Sequence, residues 1–170
     1  MMNTAAMNYG AAIQSPAHIG TLVTAILMSG AVATIAFDFF GQALSPMLGQ
    51  ATLAPVGLAN AIISKVFGAG YRPGAEALHY MTGLIAYPAG WLLVAEPLRQ
   101  RLTPWLPQFA AAVAYGIGLW VLALYVMAHL VAGNAPFLGF TNITWVALVG
   151  HVLFAVVAAQ VGNWVLRRSI

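Results

Sequence analysis

The chain has 170 residues, of which 62% are hydrophobic and 5% charged, six of them basic and three acidic. A soluble domain carries about 25% charged residues, so nine charges cannot coat a globule of this size and a water-soluble fold is excluded. The absence of cysteine removes disulfide scaffolds and cysteine-based zinc modules, and six scattered basic residues cannot make the phosphate-tracking patch of a nucleic-acid binder.

The first predicted element is an apolar helix over residues 19–44, between Ser15-Pro16 and Ser45-Pro46. No Lys or Arg precedes it, and its apolar run exceeds a signal-peptide core, so it reads as a retained span rather than a cleaved signal. The connection that follows is itself mostly apolar. Within it, over residues 53–67, Leu58, Ile62 and Val66 with Ala59, Ile63 and Phe67 fall at helical spacing, opposite Asn60, Ser64 and Lys65. This predicts a short amphipathic helix, too short to cross a bilayer. It either lies flat at the interface or packs over the mouth of the bundle as a lid, and interfacial burial is the plainer reading.

The next span is placed at 77–97, bounded by Arg72-Pro73-Gly74 before it and by Glu96-Pro97, Arg99 and Arg101 after it. Pro88 in its middle is expected to kink it and to deprive the Leu84 carbonyl of its donor. From Arg101 to Arg167 lie 65 residues without one Asp, Glu, Lys or Arg. A crossing takes about 20 residues, so this stretch is predicted to hold two helices, at 108–133 and 142–167, broken at Gly133-Asn134-Ala135-Pro136. Strand-like alternation is missing, and helices satisfy their own backbone in lipid. The expected fold is therefore all-α: a polytopic membrane protein, one domain of four transmembrane helices with a short interfacial helix between the first and second.

Basic residues near helix ends set the orientation. Arg99, Arg101, Arg167 and Arg168 fall on the face with both termini, and Lys65 and Arg72 on the other. Four against two places both termini in the cytoplasm, with the chain multi-pass in a bacterial inner (plasma) membrane. Trp91, Trp105 and Trp164 near one boundary, and Phe39, Phe40, Tyr71, Tyr80, Phe137, Phe140 and Trp145 near the other, are read as aromatic belts.

Ionisable residues inside spans are functional-site candidates by default. Here they are Asp38, His79, His129 and His151, one per helix. Asp38 lies roughly 9 Å from the outer end of its helix and His151 roughly 13 Å down, so all four belong to the outer half. Gln160, Asn163 and the boundary residue Glu96 are on the inner side. A buried Asp38 needs a proton or an imidazole partner, and His129 or His151 is the expected one. The cluster has the chemistry for a metal site, for axial ligation of haem b or another tetrapyrrole by His79, His129 and His151, or for a proton relay. Against these stands the plainer reading. His79 is close enough to the interface to be solvated, His129 suits a helix C-terminus, and a lone imidazole or carboxylate can act as interhelical glue. No HxxH or HExxH pattern is present. An internal echo suggests two parallel hairpins: His79 is followed by Gly90-Trp91 and His151 by Gly162-Asn163-Trp164, each helix then ending in arginines.

The Asp-bearing apolar first helix, the glycine- and proline-rich connection, His79-Tyr80 with Gly83 and Tyr87, and Gly150-His151 with Phe154 resemble the YagU-like group of uncharacterised bacterial inner-membrane proteins over residues 20–167. The resemblance implies four helices and an inner-membrane location, and it marks Asp38, His79, Tyr80 and His151 as the matching positions. It carries no chemistry, and the charged residues are sparser than in that pattern.

Three functions follow. The first is a non-enzymatic integral membrane protein, an accessory or assembly and stabilising subunit embedded in the lipid bilayer, packing with other membrane protein subunits or with copies of itself. It rests on the lack of a nucleophile–base constellation, a phosphate loop or an extramembrane domain. The second is a tetrapyrrole or metal binder for electron transfer or light harvesting, through His79, His129 and His151. The third is a proton-coupled small-solute transporter acting as a dimer. A lipid-directed enzyme using Glu76 and His79 is a distant fourth.

Overall fold

The computed structural model describes residues 16–168, and among them every regular element is helical. Helix α1 (residues 16–47) runs as Pro16–Phe39 and continues through Phe40–Leu44 and Ser45–Met47. Helix α2 is Pro55–Phe67, opened by a proline in its first turn and closed by Gly68 at φ 83°, the left-handed stop that glycine makes at no steric cost. Helix α3 (residues 72–102) is a chain of abutting helical segments whose junctions at Thr82, Tyr87, Trp91 and Glu96 all keep helical backbone angles. Helices α4 (Gln108–Val131) and α5 (Asn142–Arg168) complete the bundle.

Three of these helices, α1 from Ile19 onward, α4 and α5, are long and apolar enough to cross a membrane. Helix α3 is also long, but it carries Arg72 and Glu76 in its first turns and Glu96, Arg99 and Arg101 in its last segment. It begins before the predicted span because Arg72-Pro73-Gly74 opens the helix instead of preceding it. Proline at the first or second position loses an N–H that has no partner there anyway.

Prolines also explain three wide, π-type turns. Phe40–Leu44 precedes Pro46, Thr82–Ala86 precedes Pro88, and Trp91–Ala95 precedes Pro97. Each proline lacks an N–H and crowds the carbonyl four residues back. Widening the preceding turn relieves that clash without breaking the rod. A fourth such stretch, Leu122–Val131 of α4, holds no proline.

Neighbours in sequence run antiparallel. Gly30 of α1 meets the backbone of Leu84 on α3, where a Cβ would lie 2.3 Å from the carbonyl oxygen. Gly116 of α4 meets α5 likewise, with 2.6 Å to the Val152 Cα. Such close approach gives dispersion contact where the hydrophobic effect cannot drive association. Helix α5 is the central element: half of its apolar stretch is buried, against 28% for α1 and for α4. One core cluster, with Trp91, Leu92 and Val165, fills the end that carries residues 16 and 168. The other, with Phe37, Leu53, Leu124 and Phe154, fills the distal half.

Helices α3 and α4 touch near the terminal end and part in the distal half, where α2 packs against both. The expected amphipathic segment thus closes a gap in the bundle. Its connection is pinned: Leu53 N–H donates to the Gly41 carbonyl (2.8 Å), Ser45 Oγ to the Ala51 carbonyl (2.7 Å), and Ala51 N–H to Asn142 Oδ1 (2.9 Å).

The expected break after α4 holds a local structure that composition does not announce. Phe137, Leu138, Gly139 and Phe140 all have positive φ, between 49° and 72°, which costs about 1–2 kcal/mol for each residue with a Cβ. Aromatic packing offsets it. Phe137 lies 4.7 Å from the Trp120 ring and 5.5 Å from Tyr125, and its carbonyl accepts the Thr144 hydroxyl.

Candidate functional site

The parting of α3 from α4 leaves a cavity of about 540 Å³ beneath α2, within the size range of small-molecule sites. Helical spacing builds its walls. On α1, Thr34 and Phe37 share a face with Asp38, three and four residues on. On α3, His79, Gly83 and Tyr87 repeat every fourth residue, and on α5 so do Ile143, Ala147 and His151, with Phe154 one turn further. Leu122, Ala123, Leu124 and Met127 come from the wide stretch of α4, and Leu58 and Ile62 of α2 form the roof. The lining is mostly apolar, with a few convergent polar groups.

Those polar groups are disposed in two ways. His79 Nε2–H donates to Asp38, 3.2 Å from Oδ1 and 3.3 Å from Oδ2, joining α3 to α1. Gln42 Nε2 donates to the same Oδ1 from one turn away, at 2.8 Å. The Asp38 partner is therefore His79, and the expectation of His129 or His151 is corrected. The two helices are in contact here, and the face of α1 that bears Asp38 is the one turned to α3.

His151 is 7% exposed, and its Nδ1–H donates to the Ala147 carbonyl one turn back, at 2.7 Å. That bond puts a proton on Nδ1, so that in the neutral ring Nε2 is the acceptor, and Nε2 has no hydrogen-bond partner among the described residues. The Phe37 ring sits edge-on to His151 at 5.2 Å and 6.5 Å from His79, between the two imidazoles. The Thr34 hydroxyl, on a residue 4% exposed, is likewise without a partner among the described residues.

His129 stands apart. Its Nδ1–H donates to the Asn134 carbonyl at 2.7 Å in an exposed position, so it caps the end of α4 and is not among the cavity-lining residues. Tyr80 is exposed and packs its ring 5.0 Å from His79. The structure thus gathers Asp38, His79 and His151 around Phe37 and leaves His129 outside. No group of three or more His, Cys, Asp or Glu side chains with metal-binding geometry occurs among the described residues. Thr34 and Phe37 are cavity-lining residues that the sequence does not single out; the signal for them is their place on the helix face next to Asp38, one turn before it and beside it.

A second polar knot lies at the terminal end. Glu96 is 2% exposed and accepts from Arg99 Nε (2.7 Å) and Nη2 (2.8 Å) and from Gln100 Nε2 (2.8 Å). Arg99 Nη1 also donates to the Leu106 carbonyl at 2.8 Å, tying α3 to the turn that leads into α4. Every lone pair in use is directed within the fold, so this knot reads as structural.

Among known proteins the chain matches no family model, no curated protein and no solved structure.

Proposed function

We propose that the chain is a non-enzymatic integral membrane protein with four crossings that holds a small lipid-soluble guest in the distal cavity. The guest has an apolar body and a hydrogen-bonding head. The observation that carries this reading is the His151 ring: it lines an apolar cavity with Nδ1 committed to Ala147, so Nε2 offers an acceptor to a guest donor. The Thr34 hydroxyl offers a second polar contact on the neighbouring helix α1. The fourth crossing in this reading is α3, whose charges cluster at its two ends. Kinship with the YagU-like group, an inner-membrane location and cytoplasmic termini belong to the same proposal, on the residue pattern and the arginine count given above.

Such a protein acts by storing, presenting or shielding its guest for other membrane proteins, which keeps the accessory-subunit role. The many exposed apolar side chains of α1 and α4, such as Ile35, Phe39, Phe109 and Leu130, suit lipid or a partner subunit. The test is solvent extraction of protein purified in mild detergent, followed by mass analysis. Wild type is expected to release a lipid-soluble compound in near-stoichiometric amount, and Ala123→Phe, which fills the cavity, is expected to release none. Equal yields from both proteins would overturn the reading.

A second reading has its own support. A metal-ligating histidine donates its other ring N–H to a carbonyl or carboxylate, as His151 does to Ala147. A tetrapyrrole such as haem b held through His151 alone would give an intense visible band, lost in His151→Ala. A colourless preparation that nevertheless carries a guest separates the two readings.

A further inference from the structure

Away from the cavity, at the end that carries residue 168, a groove of about 640 Å³ runs along α5. Gln160, Asn163, Trp164 and Arg167 line it at positions i, i+3, i+4 and i+7, a single helix face, with Arg168 beside them. Met28 and Val32 of α1 supply an apolar wall, and Gln108 brings in the first turn of α4.

Two features make this a built site. Arg167 and Arg168 are exposed and have no carboxylate partner among the described residues, and the Arg168 guanidinium is held 4.1 Å over the Trp164 ring. Asn163 is 8% exposed, and its Oδ1 has no hydrogen-bond partner among the described residues. The arginines call for an anion with several oxygens. Asn163 Oδ1 is an acceptor, which an anion cannot satisfy; it needs a hydroxyl or amine donor on the same ligand. The apolar wall of Met28, Val32 and Val161 needs a hydrocarbon chain, and tryptophan with arginine is the usual furniture of a headgroup boundary.

We propose that this groove binds a phosphatidylglycerol-type lipid. Its phosphate lies against Arg167 and Arg168, a headgroup hydroxyl donates to Asn163 Oδ1, and one acyl chain follows Met28 and Val32. Basic pockets between membrane helices bind anionic headgroups for the same electrostatic reason. Charge complementarity favours lipid over a partner helix, because the two arginines would otherwise need acidic residues on that helix.

The test is native mass spectrometry of the full chain in mild detergent, titrated in parallel with dioleoyl phosphatidylglycerol, phosphatidylethanol and phosphatidylcholine. Phosphatidylglycerol is expected to bind tighter than phosphatidylcholine by about thirtyfold, the effect of two juxtamembrane arginines. It is also expected to exceed phosphatidylethanol, a phosphodiester of the same single charge whose headgroup has no hydroxyl. Arg167→Gln with Arg168→Gln, both on the surface, should bring phosphatidylglycerol down to the phosphatidylcholine level. Asn163→Leu should bring it down to the phosphatidylethanol level only; where that buried change lowers folded yield, the wild-type ratio of these two equally charged lipids decides the hydroxyl contact by itself. Equal retention of all three lipids overturns the proposal. So does phosphatidylglycerol binding unchanged by the arginine pair, or a second membrane protein cross-linked through position 164 in place of lipid.

Discussion

Asp38 and His79 join the first and third helices through a hydrogen bond of 3.2 Å, while Phe37, the neighbour of Asp38, separates that pair from His151. The one carboxylate in the apolar part of the bundle is thus spoken for, and the innermost imidazole is left to face the cavity. This arrangement makes Asp38–His79 an element that holds α1 to α3, and in the proposed function it makes His151 the group that would meet a guest.

The coupling between Asp38 and His79 is measurable. In a double-mutant cycle with Asp38→Asn and His79→Ala, followed by unfolding in mixed micelles, the interaction energy is expected at about 0.5–1.5 kcal/mol, typical of interhelical hydrogen bonds in membranes. Strictly additive losses would show that the two side chains act independently.

Close helix approach gives a second expectation. Gly30→Ala and Gly116→Ala place a Cβ within 2.3 Å and 2.6 Å of backbone atoms on the facing helix, so each should cost about 1–3 kcal/mol through forced backbone shifts. Gly118→Ala, where nothing lies within 4 Å, should cost nothing. Equal behaviour of all three in a thermal melt would contradict the packing described.

The knot at the terminal end responds asymmetrically. Arg99→Ala strands the buried Glu96 carboxylate and should lose about 3–5 kcal/mol. Adding Glu96→Gln should restore most of that, because no charge is then left buried. A double variant no more stable than Arg99→Ala would place the role of Arg99 elsewhere.

Thr34→Val tests the second polar contact of the cavity. Its hydroxyl lacks a partner among the described residues, so removing it should stabilise protein stripped of guest by about 1 kcal/mol while lowering guest retention. A destabilised stripped protein, measured by the same melt, would show the hydroxyl to be satisfied internally.

Much of the architecture was legible in residue order. Long charge-free stretches and proline punctuation located α1, α4 and α5 within a few residues, and apolar spacing located α2 almost to its ends. Gly133 and Pro136 marked the break, but the left-handed run from Phe137 to Phe140 depends on rings from Trp120 and Tyr125, contacts that no local pattern encodes. Depth along the membrane placed four ionisable groups at one level without telling which face each occupied. Depth alone therefore groups His129 with the rest, although it caps its own helix at Asn134, and does not identify His79 as the imidazole that meets Asp38. Rotation about a helix axis is decided by packing. The glycines that set it here, Gly30, Gly83 and Gly116, identify close faces only once the facing helix is known.

The chain has no cysteine, so a single thiol can be placed in the cavity. Ala147→Cys, at a buried lining position, is treated with a small membrane-permeant thiol reagent, first in native membranes and then after detergent exchange has stripped the guest. Alkylation is expected to be slow in membranes and faster after stripping, by about tenfold for a guest at ten times its Kd. A lipid-facing control, Ile35→Cys at a position 69% exposed, should not change its rate. The same rate for the cavity thiol in both states would contradict the claim that the distal cavity holds a guest.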